Sequence, residues 1–198
     1  MRGLVPVLLL LLLTLAPAPG AISREDELKV LVVYNFLKFV EWPESKPRLV
    51  VGTMSTVGKD PLAVALAGLN GRMVADKPVM VRPVRTLEEA CEVDCLYVGA
   101  SRAAQLPSIL EAVSKYPVLT VSDLPGFAEK GGALGLYRDA DRIRFAANLR
   151  SLRQSGLKVS SRLLSLARIV DRDPLRSHII EIAMDPEAFV RAASATGR

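Results

Sequence analysis

Histidine and cysteine are almost missing from this chain of 198 residues: there is one histidine, His178, and two cysteines, Cys91 and Cys95. His178 sits in the tail ahead of Ile179 and Ile180, where a triad partner is hard to find. Two thiols and one remote imidazole do not make a metal site. The nucleophile elbow G-x-S-x-G, the P-loop, H-E-x-x-H and a G-x-G-x-x-G after a strand are all missing. General acid–base catalysis normally needs a positioned histidine or a carboxylate pair, and the acidic residues fall mostly on surface positions of helices. The sequence therefore assigns no catalytic residue, cofactor or metal. Beyond residue 15 no apolar run reaches the ~20 residues that span a bilayer. The formal charge of +5 is scattered over Lys and Arg without a dense block, a mild bias that does not point to nucleic acid. Internal repeats, linkers and low-complexity tracts are missing too, so length and an apolar content of 50% favour a single core.

What is present begins with an address. Arg2 supplies a minimal basic start, Leu4 to Leu15 is apolar apart from Pro6 and Thr14, and the small residues APAPGA follow, the pattern of a cleaved signal peptide. Cleavage after Ala18 would leave Pro19 behind the cut, so Gly20 or Ala21 fits better. The alternative, an uncleaved anchor, is disfavoured because the run is shorter than a membrane span. The expected division is a signal peptide over 1–20, an α/β domain over 21–170 and a C-terminal extension over 171–198, holding one helical pattern, PEAFVRAAS. The mature protein is expected to be exported.

Residues 26–43, DELKVLVVYNFLKFVEWP, carry the strongest pattern in the mature chain. At 100° per residue, Leu28, Leu31, Val32, Asn35, Phe39 and Trp42 share one face, expected to pack on the sheet with the Asn35 amide inside it. Val30, Val33, Leu37 and Val40 lie on the other side. A helix apolar on two sides needs two partners. If the sheet takes the Asn35 face, Val30, Val33, Leu37 and Val40 are free for a partner protein or a homodimer; alternatively the tail or the Leu163 helix covers them.

Downstream, RLVVGTM (48–54), KPVMVRPV (77–84), CLYVGAS (95–101) and PVLTVSD (117–123) read as strands. Between them lie a helix over PLAVALAGL with Asp60 as N-cap and Pro61 at the first position, a helical turn at LEEAC, and a helix over about 102–115. This alternation predicts βαβ units and a mostly parallel sheet. ALGLYRDADRIRFAAN (133–148) reads as an antiparallel hairpin turning at Arg138 to Asp141. Asn148 caps a short helix that Gly156 ends, and VSSRLLSLARIV (159–170) reads as a last amphipathic helix with Val159, Leu163, Leu166, Ala167 and Val170 on one face. The expected fold is an α/β three-layer sandwich, a mostly parallel sheet with a C-terminal antiparallel hairpin and the N-terminal helix packed on it.

Polar residues at the carboxyl ends of strands are where such sheets bind ligands, which makes Thr53, Ser101, Ser122 and Asp123 ligand-binding candidates as well as ordinary caps and turns. Asn35 is a candidate of the same kind, or a satisfied core amide. The CEVDC spacing allows a Cys91–Cys95 disulfide in an exported protein. Against it, entry of Cys95 into a strand would set residues four apart about 13 Å from each other, too far to bridge. An interaction protein is the leading reading, with an exported small-ligand receptor built on the strand-end polar groups as the alternative.

YNFLKFVEWP (34–43), CLYVGAS (95–101), LTVSDLPGFAEKGGALGLY (119–137), IRFAANL (143–149) and SGLKVSSRLLSLARIV (155–170) together resemble the YfiR family over about residues 27–170. The resemblance implies a compact periplasmic α/β domain of a Gram-negative bacterium without known enzymatic activity. The best understood member represses a membrane-bound diguanylate cyclase by binding its periplasmic sensing domain, and others serve different membrane sensors, including histidine kinases. Family members commonly carry more cysteines; here only the CEVDC pair is present, offset from the usual position at the third strand, so the resemblance does not extend to a redox switch.

Overall fold

The computed structural model describes residues 22–43, 46–56 and 58–170. The expected signal peptide, the extension with its PEAFVRAAS helix, and His178 lie outside the described residues. Helix α1 (Arg24–Phe39) starts from a capping box, in which Ser23 accepts from the Asp26 amide while the Asp26 carboxylate accepts from the Ser23 amide. Glu25, Asp26 and Glu27 in its first turn complement the helix dipole.

The chain then runs through β1 (Val40–Glu41), β2 (Leu49–Met54), α2 (Pro61–Leu66), β3 (Met73–Val74), β4 (Lys77–Pro83), α3 (Leu87–Cys91), β5 (Cys95–Val98), α4 (Leu106–Val113), β6 (Leu119–Ser122), β7 (Leu134–Asp139), β8 (Arg142–Asn148), α5 (Leu149–Gln154), β9 (Lys158–Val159), α6 (Ser161–Leu164) and β10 (Arg168–Val170). Eight strands form one sheet in the order β10-β8-β7-β6-β5-β2-β4-β3. The central pairings of β4, β2, β5, β6 and β7 are parallel, while the β7–β8 and β3–β4 hairpins are antiparallel.

Alternation along the strands feeds two apolar layers. Val51, Cys95, Tyr97, Leu119 and Val121 pack with α1 and α2 on one face, and Leu96 and Val98 pack with α3, α4 and Phe127 on the other. The continuous apolar run CLYV is thus buried from both sides, as parallel strands require. The expected three-layer α/β sandwich is the observed one. At GGA the first glycine, Gly131, takes φ +104°, while Gly132 lies where a Cβ would fall 2.1 Å from the Phe127 ring.

Three expectations are corrected. The opening helix stops at Phe39, not Trp42: Pro43 disfavours helix at the residue before it, and Val40 and Glu41 pair instead with Val159 and Lys158 of β9. The last expected helix is split, because β9, the short α6 and the edge strand β10 divide residues 158–170 between them. Ile169 and Val170 carry β-branched side chains suited to a strand, and β10 runs parallel to β8 with Arg168 opposite Ala146.

The third correction concerns the two faces of α1, which are reversed. Val33 and Phe36 are wholly buried, Leu37 and Val40 nearly so, and Val30 is half-buried. Leu28 and Leu31 are 43% and 50% exposed, and Asn35 is exposed. The physical reason is that the Val33, Phe36, Leu37 side has no polar group to desolvate, whereas burying Asn35 would need hydrogen-bond partners for its amide. Phe36 meets Phe145 edge-on at 4.9 Å between ring centroids. Val33, Leu37 and Val40 are therefore core, and the free face lies on the other side.

Candidate functional site

Two polar clusters occupy the carboxyl ends of the parallel strands. In the first, Asp60 is buried at the start of α2, and its side chain does not cap that helix. Its carboxylate accepts from the Ser101 amide at 3.1 Å, from the Thr56 amide at 3.2 Å and from the Ser101 hydroxyl. The Ser101 hydroxyl in turn accepts from the Thr56 amide at 2.8 Å. Gly99 admits this arrangement, since a Cβ there would lie 2.5 Å from the carboxylate carbon. Thr53 is buried in β2 between Pro83 and Tyr97.

The second cluster joins α1 to the sheet. Ser122, fully buried, donates to the Val98 carbonyl at 2.6 Å and accepts from the Leu124 amide at 3.0 Å. Asp123 accepts from the Tyr97 hydroxyl and from Lys29 Nζ, each at 2.9 Å. Lys29 also meets Glu25 at 3.0 Å, and Glu25 meets Arg138 at 3.4 Å. Burial alone would lower the Lys29 pKa, but the hydrogen bonds and charges of Asp123 and Glu25 outweigh it and hold it above the ordinary value. Burial, reinforced by the Asp123 charge, pushes the Tyr97 phenol far up, so it stays a donor.

Of the expected ligand-binding residues, Ser122 and Asp123 are therefore neighbours in one cluster and Ser101 belongs to the other. Ser101, Ser122 and Asp123 are engaged by the protein's own groups. Asn35 is in neither cluster, since it lies on the outer side of α1. Among the described residues no group of three or more His, Cys, Asp or Glu is placed to hold a metal ion. The two thiols are not bridged. Cys91 at the end of α3 donates to the Leu87 carbonyl at 3.2 Å, and Cys95 is buried in β5. Burial first, and then the neighbouring carboxylates, push both thiol pKa values up, which suppresses the nucleophilic thiolate.

The outer side of α1 is open, and beside it lies a groove of about 440 Å³ between α1, β8 and α6. Val32, Phe36, Phe39, Phe145, Leu163 and Leu166 supply its apolar lining, and Asn35, Arg142, Arg144 and Arg162 its polar lining. Leu166 is 68% exposed, the highest among the exposed large apolar side chains of the described residues. The sequence pattern identified both flanks of α1 but not which one faces out. Nor did it join Leu166 and Arg162 to Asn35, because that neighbourhood depends on β8 reaching α1 from a hundred residues away.

A family model described as YfiR/HmsC-like matches residues 26–168. Among solved structures, a conserved domain protein from Vibrio cholerae O1 biovar El Tor superposes with a TM-score of 0.51 at 14% identity, over 74% of this chain and 60% of that one. An ABC domain from Streptococcus pneumonia, solved in complex with L-Trp, gives a TM-score of 0.44 at 13% identity, over 62% of this chain and 55% of that one. At such identities the Vibrio likeness speaks for the fold alone, and this chain spans only 60% of that chain's length. No helix among the described residues is long and apolar enough to cross a membrane. The family match takes in nearly all of α1, every strand of the parallel core, the β7–β8 hairpin and α6, and on that ground the chain belongs to the YfiR/HmsC-like family.

Proposed function

We propose that this chain, exported by its leader, binds the periplasmic part of a membrane signalling protein, a diguanylate cyclase or a sensor kinase, and controls its activity. One observation carries the reading beyond family membership: the outer side of α1 leaves Leu28 and Leu31 about half exposed, and beside it lies an open groove lined in part by Leu166. Exposed apolar surface of this kind, rimmed by polar groups, marks interaction sites. The small-ligand reading, which rests on Thr53, Ser122 and Asp123, is weaker, because Ser122 and Asp123 already spend their hydrogen bonds inside the protein.

The test is co-expression with membrane diguanylate cyclases and sensor kinases of the same organism, reading cyclic di-GMP and kinase output. The wild-type chain is expected to change the output of one of them. Leu31→Asp and Leu166→Asp, both at exposed positions, are expected to remove that effect while leaving the circular dichroism melt unchanged. Undiminished control by both variants would overturn the docking surface.

A further inference from the structure

The groove beside α1 carries charge as well as apolar surface. Arg142 and Arg144 on β8 and Arg162 on α6 line it, and no carboxylate does. Arg144 is engaged by Asp139 at 2.7 Å. Arg142 and Arg162 make no ion pair among the described residues. Two unneutralised guanidinium groups therefore border an aromatic and aliphatic floor, a combination that a purely apolar partner would leave desolvated and unpaired.

The shape of the surface limits its occupant. From Leu28 through Val32 and Asn35 to Phe39, the outward stripe of α1 advances eleven residues, roughly 16 Å at 1.5 Å per residue. That is about three helical turns, longer than a compact small molecule would cover. Asn35, near the middle of the stripe and exposed, offers one amide for orientation.

The geometry points to an acidic amphipathic segment of the partner protein as the occupant of this groove. Its apolar side chains seat on Phe39, Phe145 and Leu166 in the helix-in-groove manner. Asp or Glu residues on its flank reach Arg142 and Arg162, whose planar forks suit carboxylates. The inference rests on the docking reading above and adds to it the chemistry of the partner.

Two synthetic helical peptides sharing one aliphatic pattern, with glutamate or with lysine at every flanking position, are titrated against the purified mature chain by fluorescence anisotropy at low and high salt. The acidic peptide is expected to bind, more weakly as salt rises, and the lysine peptide is not. Arg142→Glu combined with Arg162→Glu is expected to weaken the acidic peptide about tenfold or more, with an unchanged melt. Equal binding of the two peptides, no binding of either, or full affinity in the double variant would overturn the inference. So would self-association that Leu166→Asp abolishes, which assigns the groove to a second copy, or binding that emerges only after removal of residues 171–198, which assigns it to the tail. If Leu166→Asp abolishes control of the membrane partner while the double arginine variant retains it, the groove docks without charge recognition and only this inference fails. If neither variant alters control, the docking reading fails first.

Discussion

Lys29 is the residue where burial and charge oppose each other most directly. Its side chain is 12% exposed, yet it bridges Glu25 and Asp123, and its pKa stands above the ordinary value. A lysine whose folded pKa is raised adds stability that is fully present below the unfolded value of about 10.4 and is lost as pH rises through the folded one. Urea unfolding of the wild type should therefore weaken on going from pH 9 to pH 11. Lys29→Met should cost about 1–3 kcal/mol at pH 7, since Asp123 would lose its cation, and should make that alkaline decline shallower without removing it, because Tyr97 and Cys95, whose pKa values are also raised, contribute to it with the same sign; a variant as alkali-sensitive as the wild type would show that Lys29 does not contribute to it. Ala140 gives a second test at this scale, being a non-glycine residue at φ +50° in the two-residue β7–β8 turn. Ala140→Gly relieves the left-handed strain at some cost in unfolded-chain entropy, with an expected net gain of up to about 1 kcal/mol in the same assay.

At the scale of elements, α1 and the segment 158–170 mark what a reading of pattern reaches. The period of α1 separated its flanks correctly, and the strands CLYV and LVVGTM follow from apolar runs bounded by breakers. Which flank of α1 turns inward was not legible, because it is decided by Phe145, Leu163 and the parallel strands, all remote in sequence. Helical spacing of Val159, Leu163, Leu166 and Val170 likewise lost to pairing with β1 and β8, which no local window contains. The cluster of Asp60 with Ser101 left no sequence signal beyond an ordinary cap, since a separation of 41 positions hides the contact. The reversal of α1 has a direct test. Val33→Asp should unfold the protein or cost more than about 3 kcal/mol, by placing a charge in the core, whereas Leu31→Asp should change the melt by less than about 0.5 kcal/mol. Similar losses from the two substitutions would contradict the observed orientation.

For the whole molecule, an eight-stranded sheet, two apolar layers and unbridged thiols make stability a matter of packing rather than of redox state. The melting temperature should be the same with and without reductant, and Cys95 should react with a thiol reagent only after unfolding; a reductant-dependent transition would reveal a cross-link. The layering also bears on how the chain reaches this state. Phe36 in the first helix finds its ring partner at Phe145, and the carbonyl of Phe39 receives the amide of Ser160. The first helix thus takes part of its seat, beside α2 and the parallel strands, from residues made late, and contacts of such high sequence separation slow folding. Until the final third of the polypeptide arrives, the Phe36 flank of that helix lacks the cover of β8 and α6, and a holdase chaperone or slow self-aggregation would compete for it.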